Sequence, residues 1–167
     1  NLPFAGLRVL DQTQVLAGPY TGRLLGDLGA DVIKIEIPGG EPSRGFAPYY
    51  LGGESAYFLG LNGNKRGITL NLRDPEAIKI FYELVKLSDV VLSNFRPSVI
   101  AKFKIGYDTL KTINPRIIYC AISGFGLDAS SSERPAMDTN IQAMSGAMSL
   151  IGYDGQPPAT MAFPVGD

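Results

Sequence analysis

The feature that most constrains the fold lies in the first 36 residues, where two strand-like segments flank a helix-like one. Residues 6–11 (GLRVLD) and 31–36 (DVIKIE) are typical of short buried strands, and residues 20–28 between them place three leucines at helical spacing. Pro19 suits the first turn of that helix, and Gly29 suits its end. Strand, helix and strand in so short a span predict a βαβ unit with parallel strands and a right-handed crossover.

The alternation of strand-like and helix-like segments continues along the chain. Further strands are predicted at residues 67–72, 88–94 and 116–123, and further helices from Pro75 onward, at 97–103, at 107–113 and at 137–150. Asp74 suits the N-cap of the helix that follows it. The strand at 116–123 is apolar on both faces, which is typical of a central strand in a parallel sheet. No internal repeat or domain linker is visible. We therefore expect an α/β fold, a Rossmann-like parallel sheet with helices on both faces.

Histidine is absent from the 167 residues, and Cys120 is the single cysteine. These counts exclude Ser-His-Asp and Cys-His catalysis, histidine metal sites, internal disulfides and Cys-cluster zinc sites from this chain, so no metal is expected. The apolar neighbours of Cys120 favour a buried core position over a reactive thiol. So little cysteine is typical of a reducing compartment, and we expect a cytoplasmic protein, with the mitochondrial matrix as the alternative in a eukaryote.

The charge pattern bears on the partners of the chain. The sequence has 15 Lys and Arg against 16 Asp and Glu, with no basic block, so nucleic acid is not an expected partner. No apolar run approaches the about 18 residues of a membrane-spanning helix, so no membrane partner is expected. Charged residues make up 19% of the chain. Because charged residues average about 25% of globular domains, we expect part of this surface to be buried against another chain.

A dinucleotide site is the first candidate that the βαβ unit suggests. Gly18 at the turn and Glu36 at the end of the second strand resemble such a site. However, residues 18–22 (GPYTG) do not match G-x-G-x-x-G, and Pro19 lacks the N–H group that a pyrophosphate would accept. We therefore do not expect NAD binding, although the architecture is Rossmann-like.

Basic and acidic side chains in predicted loops are the other candidates. Five basic residues lie where doubly wound folds bind ligands and would suit phosphate groups, with a plain solvent-exposed surface as the alternative: Arg44, Lys65, Arg66, Arg96 and Lys102. Asp138 lies at a predicted helix start, where the alternative role is an N-cap. Asp167 follows Gly166 at the end of the sequence, where the alternative is an ordinary chain terminus.

Six segments in chain order carry a resemblance to a known family. They are VLDQTQVLAGPYTGRLLGDLGADVIKIE, GNKRGITLNL, SNFRP, ISGFG, RPAMDTNIQAMSG and PVGD. Together they resemble the family III CoA-transferases, which include formyl-CoA, carnitine-CoA and bile-acid CoA-transferases and the related α-methylacyl-CoA racemases. Members are about twice as long, so the resemblance implies that residues 1–167 are the N-terminal part of a Rossmann-like CoA-binding and catalytic large domain, without the small domain. It also implies an interlocked homodimer.

The resemblance further implies the activity and its residues. A CoA-transferase moves CoA from an acyl-CoA donor to a carboxylic acid acceptor, with CoA as a substrate and no permanently bound cofactor. The aspartate of P-x-G-D, here Asp167, would attack the thioester and form a mixed anhydride and then an aspartyl-CoA thioester. The CoA contacts implied by the resemblance are Leu16, Ala17, Leu70, Asn71, Leu72, Arg73, Asn94, Phe95, Arg96, Lys102, Ala136, Met137, Asp138, Thr139 and Asn140.

Three departures from the family pattern matter. Ile37 stands where the family often has a CoA-contacting arginine, so another cation such as Arg44 would have to replace it. Met137 stands where racemases have a catalytic histidine, and a thioether cannot transfer protons. The Gly-rich loop that covers the acyl intermediate in transferases would lie beyond Asp167. Two alternatives stay open: a 2-methylacyl-CoA racemase or epimerase of the same superfamily, and a non-catalytic fragment.

Overall fold

A computed structural model describes residues 2–128 and 130–166, so Asp167 lies outside the described residues. The strands are β1 (Arg8–Asp11), β2 (Asp31–Glu36), β3 (Tyr50–Leu51), β4 (Glu54–Ser55), β5 (Lys65–Thr69), β6 (Val90–Ser93) and β7 (Ile118–Ala121). The helices are α1 (Ala17–Asp27), α2 (Ala56–Leu61), α3 (Pro75–Lys86), α4 (Pro97–Phe103), α5 (Tyr107–Ile113) and α6 (Asp138–Met144). Two compact units divide the chain, one ending at Ile122 and the other beginning at Ser123.

The first unit is built on a parallel sheet with the strand order β5-β2-β1-β6-β7. Leu10 of β1 pairs with Ile33 on one side and with Val91 on the other, so β1 is central. The order reverses between β1 and β6, because the chain first builds outward from β1 to β5 and then returns to the other side of β1. This is the doubly wound arrangement, and it confirms the predicted α/β class.

Two apolar cores lie on opposite faces of this sheet. On one face, Val9 belongs to a buried cluster against which Leu25 of α1 packs. On the other face, Leu10 packs in a larger cluster with Phe81 of α3 and Leu110 of α5. Phe81 is fully buried, so truncation to alanine would cost about 3–5 kcal/mol of stability. The prediction of helices on both faces is confirmed for this unit.

The helix boundaries follow the predicted capping chemistry. Asp74 is the N-cap of α3 and accepts a hydrogen bond from the Glu76 backbone N–H at 2.9 Å, and Pro75 follows at the first helical position. Helix α1 begins at Ala17, three residues earlier than predicted, which puts Pro19 in its first turn. Gly29, with φ +104°, follows its C-cap in the left-handed region that glycine adopts readily.

The positions of two strands differ from the predictions. β7 forms one end of the sheet order, so the prediction of a central strand was wrong for this chain, and Ile118 is 60% exposed. Cys120 in β7 is accordingly half-buried rather than fully buried. β5 begins two residues earlier than predicted, because Lys65 and Arg66 already pair with Val32 and Ile33 of β2. Residues 70–72, predicted to end this strand, follow it as a connection to α3.

The segment 137–150 was predicted as one helix and is interrupted. Helix α6 ends at Met144, and a short 3₁₀ helix then covers Ala147–Leu150. Gly146 between them has φ +81°, which an α-helix cannot contain. The hairpin of β3 and β4 and the short helix α2 were not predicted at all. Among the described residues, no helix combines the length and apolar character that a bilayer crossing needs.

Candidate functional site

The point where the strand order reverses lies between the carboxyl ends of β1 and β6. Doubly wound folds bind ligands in the crevice at this point. Asn94, just after β6, accepts a hydrogen bond from the Gln14 N–H at 2.9 Å and donates one to the Gln14 carbonyl at 2.7 Å. One side-chain amide therefore ties the first βα turn to the neighbouring strand. Asn94 is a predicted CoA contact, but these two hydrogen bonds occupy its side-chain amide. Leu16 and Ala17, two further predicted contacts, come shortly after Gln14, the residue that Asn94 holds.

Buried side chains hold the rest of this turn. The Asp11 carboxylate accepts a hydrogen bond from the Thr13 N–H at 2.9 Å, and the Lys34 ammonium donates to the Thr13 carbonyl at 2.9 Å. The Glu41 carboxylate accepts from the N–H of Val15 at 2.9 Å, where the backbone is left-handed with φ +70°. A left-handed valine is strained, so these bonds help to impose the conformation. The turn that carries Leu16 and Ala17 is thereby fixed by several elements at once.

Lys65 was a candidate phosphate ligand, but the structure places it inside the fold. Its ammonium lies 2.8 Å from the Asp11 carboxylate, and the side chains of the two residues are 2% and 0% exposed. It also donates to the Pro19 carbonyl at 2.7 Å and to the Asn62 side chain at 2.8 Å. Burial lowers the pKa of Lys65, and the neighbouring Asp11 carboxylate opposes that shift. Lys65 therefore stabilises the turn from inside the fold, and its ammonium is not available to a ligand phosphate.

Arg44, considered as a replacement for the arginine missing at Ile37, is held by two carboxylates. Its guanidinium forms two hydrogen bonds with Glu36, at 2.8 and 2.7 Å, and one with Glu54 at 2.9 Å. It also lies 3.8 Å from the centroid of the Phe58 ring. Burial raises the pKa of the Glu36 carboxyl, but hydrogen bonds from Arg44 and the Glu41 backbone outweigh this and hold it below its ordinary value. Arg44 is thus committed to a protein network.

A groove of about 580 Å³ lies between the start of α3 and the end of α4. It is lined by Leu72, Arg73, Pro75, Ile78, Tyr82, Lys102, Phe103 and Lys104. The groove thus combines apolar and aromatic walls with cationic side chains. In the part of the chain that the structure describes, no carboxylate pairs with Arg73, Lys102 or Lys104. Such unpaired cations beside an apolar wall suit a phosphate-bearing nucleotide.

The predicted CoA contacts of the first unit fall into different settings. Leu72, Arg73 and Lys102 line the groove together. Leu70 is buried, and Phe95 packs partly against the same core, so these side chains support the surface from inside. Besides Leu16, Ala17 and Asn94, which are described above, two polar residues remain: Asn71 and Arg96. Asn71 accepts a hydrogen bond from the Arg73 N–H in the connection after β5, and Arg96 is exposed at the N-cap of α4. Their contact with CoA stays a prediction.

Sequence reasoning missed part of this groove. Ile78, Tyr82, Phe103 and Lys104 line the groove but were not among the predicted CoA contacts. The sequence did contain a sign of this part of the groove, because an aromatic residue and a second cation, Phe103 and Lys104, directly follow the predicted contact Lys102 at the end of α4. Lys104 has φ +55°, so the backbone turns there and keeps its side chain beside the groove.

Asp138, in the second unit, has a different role from the N-cap considered above. The N-cap position of α6 is Met137, with no side-chain capping bond, so the N-cap interpretation of Asp138 was wrong. One oxygen of the Asp138 carboxylate accepts hydrogen bonds from the N–H groups of Val165 at 2.8 Å and Gly166 at 2.7 Å. The other oxygen accepts from the Gln142 side chain at 2.6 Å. The Gly166 N–H, as the main cause, holds the pKa of Asp138 below its ordinary value.

The other predicted contacts of the second unit lie around the start of α6. Ala136 packs closely over Gly124, where a methyl group would meet the Ala136 Cβ, so this glycine is required sterically. Met137, Thr139 and Asn140 are exposed. The nucleophile predicted from the resemblance, Asp167, is outside the described residues, but Gly166 before it is held by Asp138.

Comparison with known proteins places this chain. The sequence profile of CoA-transferase family III matches residues 4–167. Succinyl-CoA:glutarate CoA-transferase of Mus musculus is 43% identical over 157 residues, which are 93% of this chain and 36% of that protein. Acetyl-CoA:oxalate CoA-transferase of Acetobacter aceti is 46% identical over 157 residues, 93% of this chain and 40% of that protein. The chain therefore spans about two fifths of the length of these relatives.

A solved structure agrees with the sequence comparison. The crystal structure of a CAIB/BAIF family protein from Brucella suis matches with a TM-score of 0.92 and 40% identity, covering 98% of this chain and 44% of that chain. The profile match and the structural match each extend over nearly all of the residues in this sequence, and the resemblance noted from six segments is confirmed. The chain belongs to CoA-transferase family III.

Proposed function

We propose that the protein containing this chain transfers CoA from an acyl-CoA donor to a carboxylic acid acceptor, with Asp167 as the covalent nucleophile. The observation that carries this proposal is the groove of α3 and α4, in a chain that belongs to CoA-transferase family III. Coenzyme A presents an adenine ring, a pyrophosphate and a ribose phosphate. The apolar walls suit the ring, and Arg73, Lys102 and Lys104, which no carboxylate of residues 2–128 and 130–166 pairs with, suit the phosphates.

The proposed reaction is a series of acyl transfers through one carboxylate. The Asp167 carboxylate attacks the thioester carbonyl, the C–S bond breaks, and CoA thiolate leaves behind a mixed anhydride. The thiolate then attacks the aspartyl carbonyl and expels the donor acid, which gives an aspartyl-CoA thioester. The acceptor carboxylate attacks this thioester, and the released thiolate takes the acceptor acyl group and frees Asp167. Each step exchanges one leaving group for one nucleophile, so no proton donor, oxidant or metal is consumed.

The described residues would contribute binding and orientation. The cations of the groove would hold the CoA nucleotide, and the fixed turn at Leu16 and Ala17 would give the CoA chain a rigid wall at the point where the strand order reverses. The hydrogen bonds from Val165 and Gly166 to Asp138 would fix the approach to the nucleophile. None of these contributions requires a histidine.

The further parts of the proposal concern the whole protein. Residues 1–167 would be the N-terminal part of the large domain, a view supported by the fact that the chain covers about two fifths of its relatives. A homodimer is supported by the low charge content and by the exposed side chains of Tyr20 and Leu24 on α1 and of Leu28 at its C-cap. Sedimentation of the complete protein would test the dimer, and cell fractionation would test the cytoplasmic location.

Replacement of the nucleophile tests the proposed function. In the complete protein, Asp167→Ala should remove essentially all CoA transfer between a donor such as succinyl-CoA and an added dicarboxylic acid, while CoA binding by calorimetry persists. Asp154→Ala, a change of an exposed aspartate in a loop, is the matched control and should retain activity. An Asp167→Ala protein that keeps more than about a hundredth of the wild-type turnover would contradict the assignment, because a covalent route is not easily replaced.

A further inference from the structure

We propose that Asp138 is a positioning residue, which holds the backbone that leads into the nucleophile. This inference rests on the proposed role of Asp167. The sequence had suggested either a CoA contact or an N-cap for this carboxylate. Its hydrogen bonds point elsewhere, because a single oxygen accepts from two consecutive backbone N–H groups, those of Val165 and Gly166. Two successive amides that converge on one anion fix the local chain direction.

The other side of the carboxylate is fixed as well. Gln142, one turn further along α6, is 1% exposed and donates from its amide nitrogen to the second oxygen of Asp138 at 2.6 Å. The amide oxygen of Gln142 in turn accepts a hydrogen bond from the N–H of Met161 at 2.8 Å. Asp138 and Gln142 therefore attach the segment 161–166 to α6 at both of its ends.

Steric contact supports the same arrangement. A Cβ atom at Gly166 would lie 3.0 Å from both Cβ and Cγ2 of Ile141 and 3.3 Å from the Asp138 carbonyl oxygen. Gly166 consequently lies so close to the first turn of α6 that a side chain there would push Ile141 and the Asp138 backbone away by a few tenths of an ångström. The two hydrogen bonds and this close packing act on the same short stretch of backbone, so residues 165 and 166 have little freedom.

This arrangement has a kinetic consequence. A carboxylate nucleophile gains most of its rate from being held near the thioester carbon, and a misplacement of about 1 Å can cost about 100-fold in rate. The loss should fall on the chemical steps, because both oxygens of the Asp138 carboxylate are occupied by protein donors, Gln142 on one side and the Val165 and Gly166 backbone on the other. Asp138 should therefore influence kcat and the formation of the aspartyl-CoA thioester, with little influence on the affinity for CoA.

A reciprocal exchange of donor and acceptor tests this role. In Asp138→Asn, the new side chain has one accepting oxygen and one donating nitrogen. Its NH₂ group therefore has to face another donor, either the Gln142 nitrogen or the backbone N–H groups of residues 165 and 166. In Gln142→Glu, two carboxylates oppose each other. In the double variant Asp138→Asn, Gln142→Glu, the amide nitrogen introduced at position 138 donates to the carboxylate introduced at position 142. The other oxygen of that carboxylate accepts from the Met161 N–H, so every hydrogen bond is kept, with the polarity of the side-chain pair reversed.

We expect each single variant of the complete protein to lose about 10- to 100-fold in kcat at a nearly unchanged acyl-CoA KM, and the double variant to recover most of it. A double variant that is no better than Asp138→Asn would overturn the proposal, because it would show that the Asp138 carboxylate itself acts on substrate. A raised KM for acyl-CoA at unchanged kcat would also overturn it and would restore the CoA-contact interpretation.

A failure of the proposed function would be recognised separately, because the Asp167→Ala protein would then retain its CoA-transfer activity. Thermal unfolding of each variant identifies a general loss of folding. The double variant keeps the test decisive if one single variant unfolds, because its side chains again have matched donors and acceptors.

Discussion

The buried ion pair between Lys65 and Asp11 allows one prediction to be developed quantitatively. Lys65→Met removes the ammonium and leaves the Asp11 carboxylate, whose side chain is 0% exposed, without its counter-charge. Breaking a buried pair on one side costs about 3–5 kcal/mol, because the remaining charge has lost its solvation and its partner. The cost should also affect CoA binding, since Asp11 holds Thr13 in the turn that carries Leu16 and Ala17.

The chain offers a matched control for this substitution. Lys79 forms an ion pair with Glu76 at 2.7 Å, nearly the same distance as the 2.8 Å of the buried pair, but its side chain is 69% exposed. Lys79→Met should cost less than about 1 kcal/mol, because exposed ion pairs contribute little. The double variant Asp11→Asn, Lys65→Met should be more stable than Lys65→Met alone, since no buried charge is then left unpaired.

Urea unfolding of the complete protein at pH 7, followed by far-UV circular dichroism, measures these differences. The expected order of stability is wild type and Lys79→Met highest, the double variant next and Lys65→Met lowest. The reasoning would be refuted if Lys65→Met and Lys79→Met lost the same free energy of unfolding. It would also be refuted if neutralising Asp11 in addition made the Lys65→Met protein less stable.

Three further predictions follow from the same contacts. Lys102→Ala and Arg96→Ala should each raise the CoA dissociation constant about tenfold and flatten its salt dependence, since each would remove a charge-assisted hydrogen bond of about 1.5 kcal/mol. Calorimetry at two salt concentrations measures both effects. Unchanged CoA affinity in both variants would place the CoA crevice elsewhere. The pKa of Glu36 is held below its ordinary value of 4.5, so its ion pair with Arg44 stabilises the fold above that pH, and the stabilisation is lost as the pH falls through the folded-state pKa. Arg44→Gln should therefore lower the free energy of unfolding at pH 7 and lower it less in acid. An equal loss at pH 7 and at pH 3 would contradict this. Incubation with a chiral 2-methylacyl-CoA in heavy water should give CoA transfer to an added acid without α-deuteration, whereas enzyme-dependent deuteration with loss of optical purity would favour the racemase alternative.

Local patterns predicted much of the fold. The parallel sheet and its two helical faces followed from apolar strand-like segments that alternate with amphipathic helices, and the start of α3 followed from Asp74 and Pro75. The place of β7 did not follow, because an edge strand differs from a central one in the strands beside it rather than in its own residues. The break in the helix after Met144 depended on Gly146, which sequence patterns tolerate inside a helix but which here adopts a left-handed backbone.

The sequence singled out several polar residues of the candidate site, but it did not predict which groups they contact. Asn94 and Asp138 were both singled out, yet their partners lie far away in the sequence, 80 residues for Gln14 and 28 residues for Gly166. A capping rule considers only the adjacent turn and therefore assigned Asp138 to an N-cap. Likewise, Lys65 looked like a loop cation because its partner Asp11 lies 54 residues away, across β2 in the sheet.

The central claim, covalent transfer through Asp167, is tested most directly by following oxygen. The complete protein would turn over an acyl-CoA donor with an acceptor acid whose carboxylate carries oxygen-18. In the proposed sequence of steps, the acceptor oxygen that attacks the aspartyl-CoA thioester stays on the aspartate when the acceptor leaves as its CoA thioester. Mass spectrometry of the digested protein should therefore find oxygen-18 in the peptide that contains Asp167. Product formation without label in that peptide, or with label in another carboxylate, would contradict the account.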